Sequence, residues 1–173
     1  MRPLALAVFL ALVPAVATAQ VAPRSLGLEL GFTHDSFEAL GARAPLALTA
    51  AWWLIDDLGV TARLAWGFAS RTSVREAAGS FEAGAGLRYG LSRSQVLRPQ
   101  LVADVAFVQV LAAPTAEAWT SDSGVRVGAG AALEIFVARD VSLTFTARLT
   151  ELALGSGDGG PGTALSMGLA AWF

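Results

Sequence analysis

Thr163-Ala-Leu-Ser-Met-Gly-Leu-Ala-Ala-Trp-Phe173 is the stretch whose reading decides the fold. Counted back in twos from Phe173, it places Phe173, Ala171, Leu169, Met167 and Leu165 on one face. Trp172, Ala170, Gly168, Ser166 and Ala164 fall on the other. Side chains that alternate with a period of two belong to a β-strand, because successive Cβ atoms leave a pleated backbone on opposite sides. One face is dominated by large apolar residues and the other by small ones, so the two sides of this strand meet different surroundings.

The same alternation recurs upstream in seven segments: Ser25 to His34, Ala44 to Leu54, Leu58 to Ala69, Gly79 to Tyr89, Leu97 to Gln109, Gly124 to Phe136 and Val141 to Thr150. In the first, Leu26, Leu28, Leu30 and Phe32 oppose Gly27, Glu29, Gly31 and Thr33. In the seventh, Val141, Leu143, Phe145, Ala147 and Leu149 oppose Ser142, Thr144, Thr146, Arg148 and Thr150. The connections alternate in length. Ile55 to Asp57, Gly90 to Val96 and Val137 to Asp140 read as short turns, whereas Asp35 to Arg43, Ser70 to Ala78, Val110 to Ser123 and Glu151 to Gly162 read as longer loops. Eight alternating strands with short turns at one end and long loops at the other are expected to close as an all-β, eight-stranded antiparallel up-and-down barrel.

A closing strand that carries a large apolar residue at most alternate positions and ends on Phe173 resembles the last strand of bacterial outer-membrane β-barrels. The whole pattern is similar in plan to the transmembrane domain of outer-membrane protein A and to the small adhesion and invasion barrels. The resemblance implies a transmembrane barrel in contact with outer-membrane lipid and inserted by the barrel assembly machinery, which in that family reads the terminal aromatic strand. It also implies a structural or surface-binding role, with any surface ligand held by the outer loops, and no reaction.

Residues 1–19 agree with export. Arg2 precedes an apolar run from Leu4 to Val13 and then Ala17-Thr18-Ala19, the layout of a secretory signal peptide cleaved before Gln20, which leaves residues 20–173 as the barrel domain. The run is too short for a membrane helix and is interrupted by Pro14. With 54% hydrophobic and 15% charged residues, the chain is more apolar than an ordinary soluble domain, which carries about 25% charge. No later stretch stays uncharged for the roughly 20 residues a spanning helix needs, so the apolar surface is spread by alternation. A net charge of −2 with singly scattered Arg residues argues against nucleic acid, and the absence of Cys removes disulfide and thiol chemistry.

With the apolar face toward lipid, Phe32, Trp66, Phe68, Phe81 and Phe107 are expected in an outer aromatic girdle, and Trp52, Tyr89 and Phe173 in a periplasmic one. The charges Glu29, Arg63, Glu82, Arg88, Arg98, Asp104, Arg126, Glu134 and Arg148 then point into a lumen just wide enough for side chains to fill. Unpaired, each would cost several kcal/mol, so they are expected to pair as a polar plug. Three layers follow from strand depth: Glu82 with Arg126 and Arg148 outermost, Glu29 with Arg63 and Asp104 in the middle, and Glu134 with Arg98 and Arg88 toward the periplasm. Glycines on the same face, among them Gly84, Gly128 and Gly130, leave room for the Arg side chains.

Other readings compete. His34 and Ser36 are the residue types of a lipid A-modifying deacylase or acyltransferase, although neighbouring strand residues face opposite ways. Gly155 to Gly160 satisfies G-x-G-x-x-G literally, but a closing strand follows it where a dinucleotide site needs a helix. Asp158 alone offers too few oxygens for calcium, so neither a metal nor any other cofactor is expected. Trp119 is placed in the third long loop, exposed toward a partner or lipid headgroups. The same charges in the lumen would suit a narrow pore. A soluble secreted lipocalin-like barrel would turn the apolar face inward.

Overall fold

The computed structural model describes residues 24–35, 42–70, 77–92, 96–115, 118–157 and 159–173. The expected signal peptide, its cleavage site, Ser36 and Asp158 lie outside the described residues.

Eight strands follow one another: β1 (Arg24–Asp35), β2 (Ala42–Ile55), β3 (Leu58–Ser70), β4 (Ala77–Gly90), β5 (Leu97–Thr115), β6 (Ala118–Ala138), β7 (Val141–Leu154) and β8 (Gly159–Trp172). Each pairs antiparallel with its sequence neighbours, and β8 returns to β1 so that the sheet closes. At the seam the register runs from Ser25 opposite Trp172 to Asp35 opposite Gly162, and Arg24 and Phe173 exchange backbone hydrogen bonds of 3.1 and 2.9 Å. Closure leaves no edge strand, so along the wall each strand is hydrogen-bonded to a neighbour on both sides.

The side chains are inverted relative to a water-soluble barrel. Leu26, Leu28, Leu30 and Phe32 of β1 are each at least half exposed on the outer wall, while Ser25, Glu29 and Thr33 between them are buried. Glu134 and Val108 are wholly buried on the same inner parity. This orientation overturns the soluble lipocalin-like alternative, which required an apolar interior and a polar exterior.

Two of the four expected long loops are corrected. Val110 to Ser123 is mostly strand, since β5 and β6 run on as a hairpin to the pair Thr115 and Ala118, with only residues 116–117 between the strands. Trp119 therefore belongs to β6. Glu151 to Gly162 likewise shrinks to a tight connection between Leu154 and Gly159. Local composition, richer in Gly, Ser, Thr and charge than the short turns, argues for loops, but long-range packing prevails. Val108 and Val110 of β5 meet Leu152 and Leu154 of β7 in a buried apolar cluster inside the barrel, at the end away from the chain termini. Gly124, opposite both Val108 and Leu154, has no side chain to separate them. The tight connection needs glycine, because Gly157 has a φ of 88° and Gly159 a φ of 151°.

At the level of this cluster the outward positions Gln109, Ser121 and Ser123 are polar and exposed, with Leu111 as an apolar exception, as the hairpin leaves the apolar band. Here Asp122 ties β6 to the β7–β8 turn. Its Oδ2 accepts hydrogen bonds from the Ser156 hydroxyl at 2.6 Å and the Ser156 amide at 3.3 Å, and its Oδ1 accepts one from the Ser123 amide at 2.7 Å. The Ser156 hydroxyl bond, with help from these amides, holds the Asp122 carboxyl below its ordinary range. A carboxylate with a lowered folded pKa stabilises above its unfolded pKa, and the effect is lost as pH falls through the folded value. Amide exchange at Ser156 is therefore expected to be slow at neutral pH and to accelerate, beyond its intrinsic pH dependence, below the usual carboxylate range. In Asp122→Asn it is expected to be fast throughout, with no added acid dependence.

Candidate functional site: the barrel interior

The alternation of each strand aims one row of side chains at the barrel axis, and together these rows fill the interior in layers. Six strands contribute to a continuous chain of charge. Arg126 of β6 donates a short hydrogen bond to Glu82 Oε1 of β4, whose Oε2 accepts from Arg63 of β3 at 3.2 Å. The Nε of Arg63 reaches Glu29 Oε1 of β1 at 3.2 Å. The chain continues from Glu29 to Arg148 of β7 at 3.8 Å, and Arg148 Nε lies 2.8 Å from Asp104 Oδ2 of β5. This last contact is an ion pair by distance, although the Nε–H is not aligned for a hydrogen bond. Three Arg and three carboxylates balance, so burial does not leave a net charge in a medium where a lone ion is costly.

β2 and β8 face the same space with small residues, among them Ala47, Ala51, Ser166 and Gly168, and so make room for side chains from opposite walls. Gly84 stands directly across from Arg63, and Gly130 across from Arg148. A Cβ on Gly128 would sit 2.8 Å from Asp104 Oδ1, and one on Gly130 would run into the Ala147 carbonyl oxygen. Between the Arg side chains a cavity of about 40 Å³ remains, bordered by Thr33, Thr61, Arg63, Glu82, Asp104 and Thr150. At roughly 10–15 Å³ per water centre, it has room for a few waters. Thr150 Oγ1 faces it without a hydrogen-bond partner among the described residues.

The end nearer the termini is built differently. Glu134 of β6 accepts hydrogen bonds from Gln100 Nε2 of β5 and Ser142 Oγ of β7, each at 2.9 Å, and the indole N–H of Trp172 of β8 donates to Ser142 Oγ at 2.8 Å. Four successive strands are thereby joined. Below them the Arg98 guanidinium lies 5.0 Å from the Trp53 ring and 5.4 Å from the Phe136 ring, within cation–π range, and Phe136 packs against Trp172 at 5.6 Å. The Trp53 indole rests over Gly59, its partner across β2 and β3.

Against the three expected layers, the outer and middle sets merge into one network, with Arg63 bridging them and Arg148 binding Glu29 and Asp104 rather than Glu82. The expected pairing of Glu134 with Arg98 is not formed, because neutral donors take the carboxylate and aromatic faces take the guanidinium. Arg88 is half-buried on the inner face, opposite Gly59 and Val102. The inward aromatics Trp53, Phe136 and Trp172 and the polar pair Gln100 and Ser142 were missed. Their parity carried the signal, since each falls on the face that holds the charges. Of the girdle residues, Phe32, Trp52, Trp66, Phe68, Tyr89, Phe107 and Phe173 are exposed on the outer wall, and Phe81 is half-buried against Trp66, 5.8 Å between centroids. His34 is exposed on that wall, and its suggested partner Ser36 is not among the described residues.

A closed barrel of eight antiparallel strands, apolar outside and charged within, is the fold of the small outer-membrane β-barrel proteins. Among solved structures the chain is similar to Neisserial surface protein A, with a TM-score of 0.69 and 14% identity over 87% of this chain and 96% of that one. It is also similar to Ail, the attachment invasion locus protein of Yersinia pestis, at a TM-score of 0.57 and 12% identity over 88% and 99%. The N-terminal β-barrel domain of OprF of Pseudomonas aeruginosa gives 0.55 and 17% over 86% and 97%. At these identities the likeness is one of fold. No protein-family model and no curated protein matches the chain.

Glu82 holds two guanidinium groups, so Glu82→Gln leaves Arg63 and Arg126 without their shared anion. The expected cost is about 3–5 kcal/mol of folding stability, as for breaking other buried ion pairs. Urea titration of the barrel in lipid, followed by tryptophan fluorescence, measures it.

Proposed function

We propose that this chain is an outer-membrane protein, exported by residues 1–19, whose lumen is a plug and whose role is structural or surface-binding. One observation carries the reading: the side-chain distribution is inverted. A wall of exposed Leu, Val, Phe and Trp surrounds buried Glu and Arg, and such a wall is stable against hydrocarbon and unstable in water. The fold shared with known outer-membrane barrels supports the same location. The alternating apolar face of β8 supports insertion by the barrel assembly machinery.

Plugging is supported by the layered interior. The charged chain, the Glu134 cluster and the Arg98–aromatic layer occupy the axis in succession, and the Val108–Leu154 cluster covers the opposite end. An ion crossing this path would have to open an apolar seal and break paired charges, each disfavoured by several kcal/mol. With the lumen filled, recognition falls to the outer hairpins, above all the extended β5–β6 hairpin, and no reaction is assigned to the chain.

Fractionation of expressing cells is expected to place the protein in the outer membrane, with faster gel migration before boiling in detergent than after it. Recovery from the soluble periplasm would defeat the membrane reading. In planar bilayers the purified barrel is expected to give no resolved single-channel current, and a regular ohmic step would replace the plug with a pore.

A further inference from the structure

Guanidinium groups outnumber carboxylates in the lumen. From the Arg98–aromatic layer up to the Val108–Leu154 cluster, the described inward side chains include five of the former, Arg63, Arg88, Arg98, Arg126 and Arg148. Against them stand Glu29, Glu82, Asp104 and Glu134. The chain of three Arg and three carboxylates is neutral by itself, but below it Glu134 faces both Arg88 and Arg98. Among the described residues one buried positive charge is therefore left over, and burial penalises a charge that has no counter-ion.

The cavity beside the charged chain has the chemistry of an anion site. Arg63, Arg126 and Arg148 reach it from three strands, together with the hydroxyls of Thr33, Thr61 and Thr150. Thr150 is 7% exposed, and its Oγ1 has no hydrogen-bond partner among the described residues. Arg148 Nε, on the next inward residue of β7, also lacks an aligned acceptor there. Glu82 and Asp104 border the same space, but their charge is offset by Arg63 and Arg126 in one case and by Arg148 in the other. Each guanidinium brings five N–H donors and no acceptor. Water supplies as many donors as acceptors and leaves that excess uncorrected, whereas a monatomic anion only accepts. At roughly 10–15 Å³ per water centre, the 40 Å³ admits about three water-sized particles. A chloride ion with one or two waters fits this space, and a five-atom oxyanion such as sulfate does not.

We propose that this cavity binds one chloride ion, held by Thr150 Oγ1 and the guanidinium groups of Arg63, Arg126 and Arg148, and that the ion completes the charge balance of the lumen. The site deepens the plug reading and rests on it. Since the apolar cluster covers one end and the rings around Arg98 fill the other, the ion enters as the barrel closes.

Bromide replaces chloride in the test. The barrel is refolded from urea in sodium bromide or in sodium gluconate at equal ionic strength, and crystals of the bromide sample are measured at the bromine edge. One anomalous peak is expected inside the cavity, within hydrogen-bond reach of Thr150 Oγ1. The urea midpoint is expected to rise with bromide concentration relative to gluconate. Thr150→Val is expected to weaken the bromide affinity read from that rise about ten-fold, through loss of one hydrogen bond to an ion, and Thr150→Ser to keep it. If the Val variant does not fold, the wild-type peak decides. Waters alone in the cavity, bromide peaks confined to the surface (an adventitious ion only), or equal midpoints in the two salts overturn the site. Planar-bilayer recording of the bromide-refolded barrel separates the two readings. A silent barrel without internal bromide sinks the ion alone, whereas an ohmic channel without it sinks the plug first.

Discussion

Everything in this structure depends on the pairing of β8 with β1. A backbone N–H or C=O facing hydrocarbon without a partner costs several kcal/mol, so a sheet in a bilayer must have no edge. The seam from Ser25–Trp172 to Asp35–Gly162 meets that condition and is sealed by the reciprocal hydrogen bonds of Arg24 and Phe173. Once the sheet is closed, the period of two sends each residue either to the lipid side or to the lumen. A shift of one residue at any seam would place Glu29 or Arg126 on the wall and a Leu or Val in the interior.

The interior then has to neutralise what closure encloses. It does so with opposite charges drawn from strands distant in sequence, as in Arg63 with Glu29 and Arg126 with Glu82. Such pairs are weak evidence of stability as a whole, since taking both ions out of water offsets much of their attraction. Their consequence is specificity of register, because the network forms only when β1, β3, β4, β5, β6 and β7 are aligned as they are. The uncharged ends of the lumen act otherwise. Rings against Arg98 and aliphatic side chains around Gly124 fill space and exclude water without requiring a partner ion.

The outer wall has its own order, visible only across strands. Ala131 and Ala147 are ordinary residues in their own strands, yet the register makes them neighbours between the larger side chains of the wall. His34 is similar. Within its strand it is the residue after Thr33, but across the seam it meets Thr163.

Strand number, strand parity and the sorting of side chains between wall and lumen were legible in the chain, because they depend on a period of two that each segment carries by itself. Glu29, Arg63, Glu82 and Arg126 could be assigned inward from that period alone. Their partners could not, since pairing depends on the stagger between strands, which no single segment encodes. For that reason Arg63 proved to be a bridge and not a member of a middle layer, and Glu134 bound Gln100 and Ser142 in place of Arg98. The reach of β5 and β6 was hidden for a related reason, as Val108 and Val110 of β5 pack with Leu152 and Leu154 of β7, far away in sequence. Sequence determined which way each side chain faces, through local alternation; tertiary structure decided what each one meets there, through closure and register.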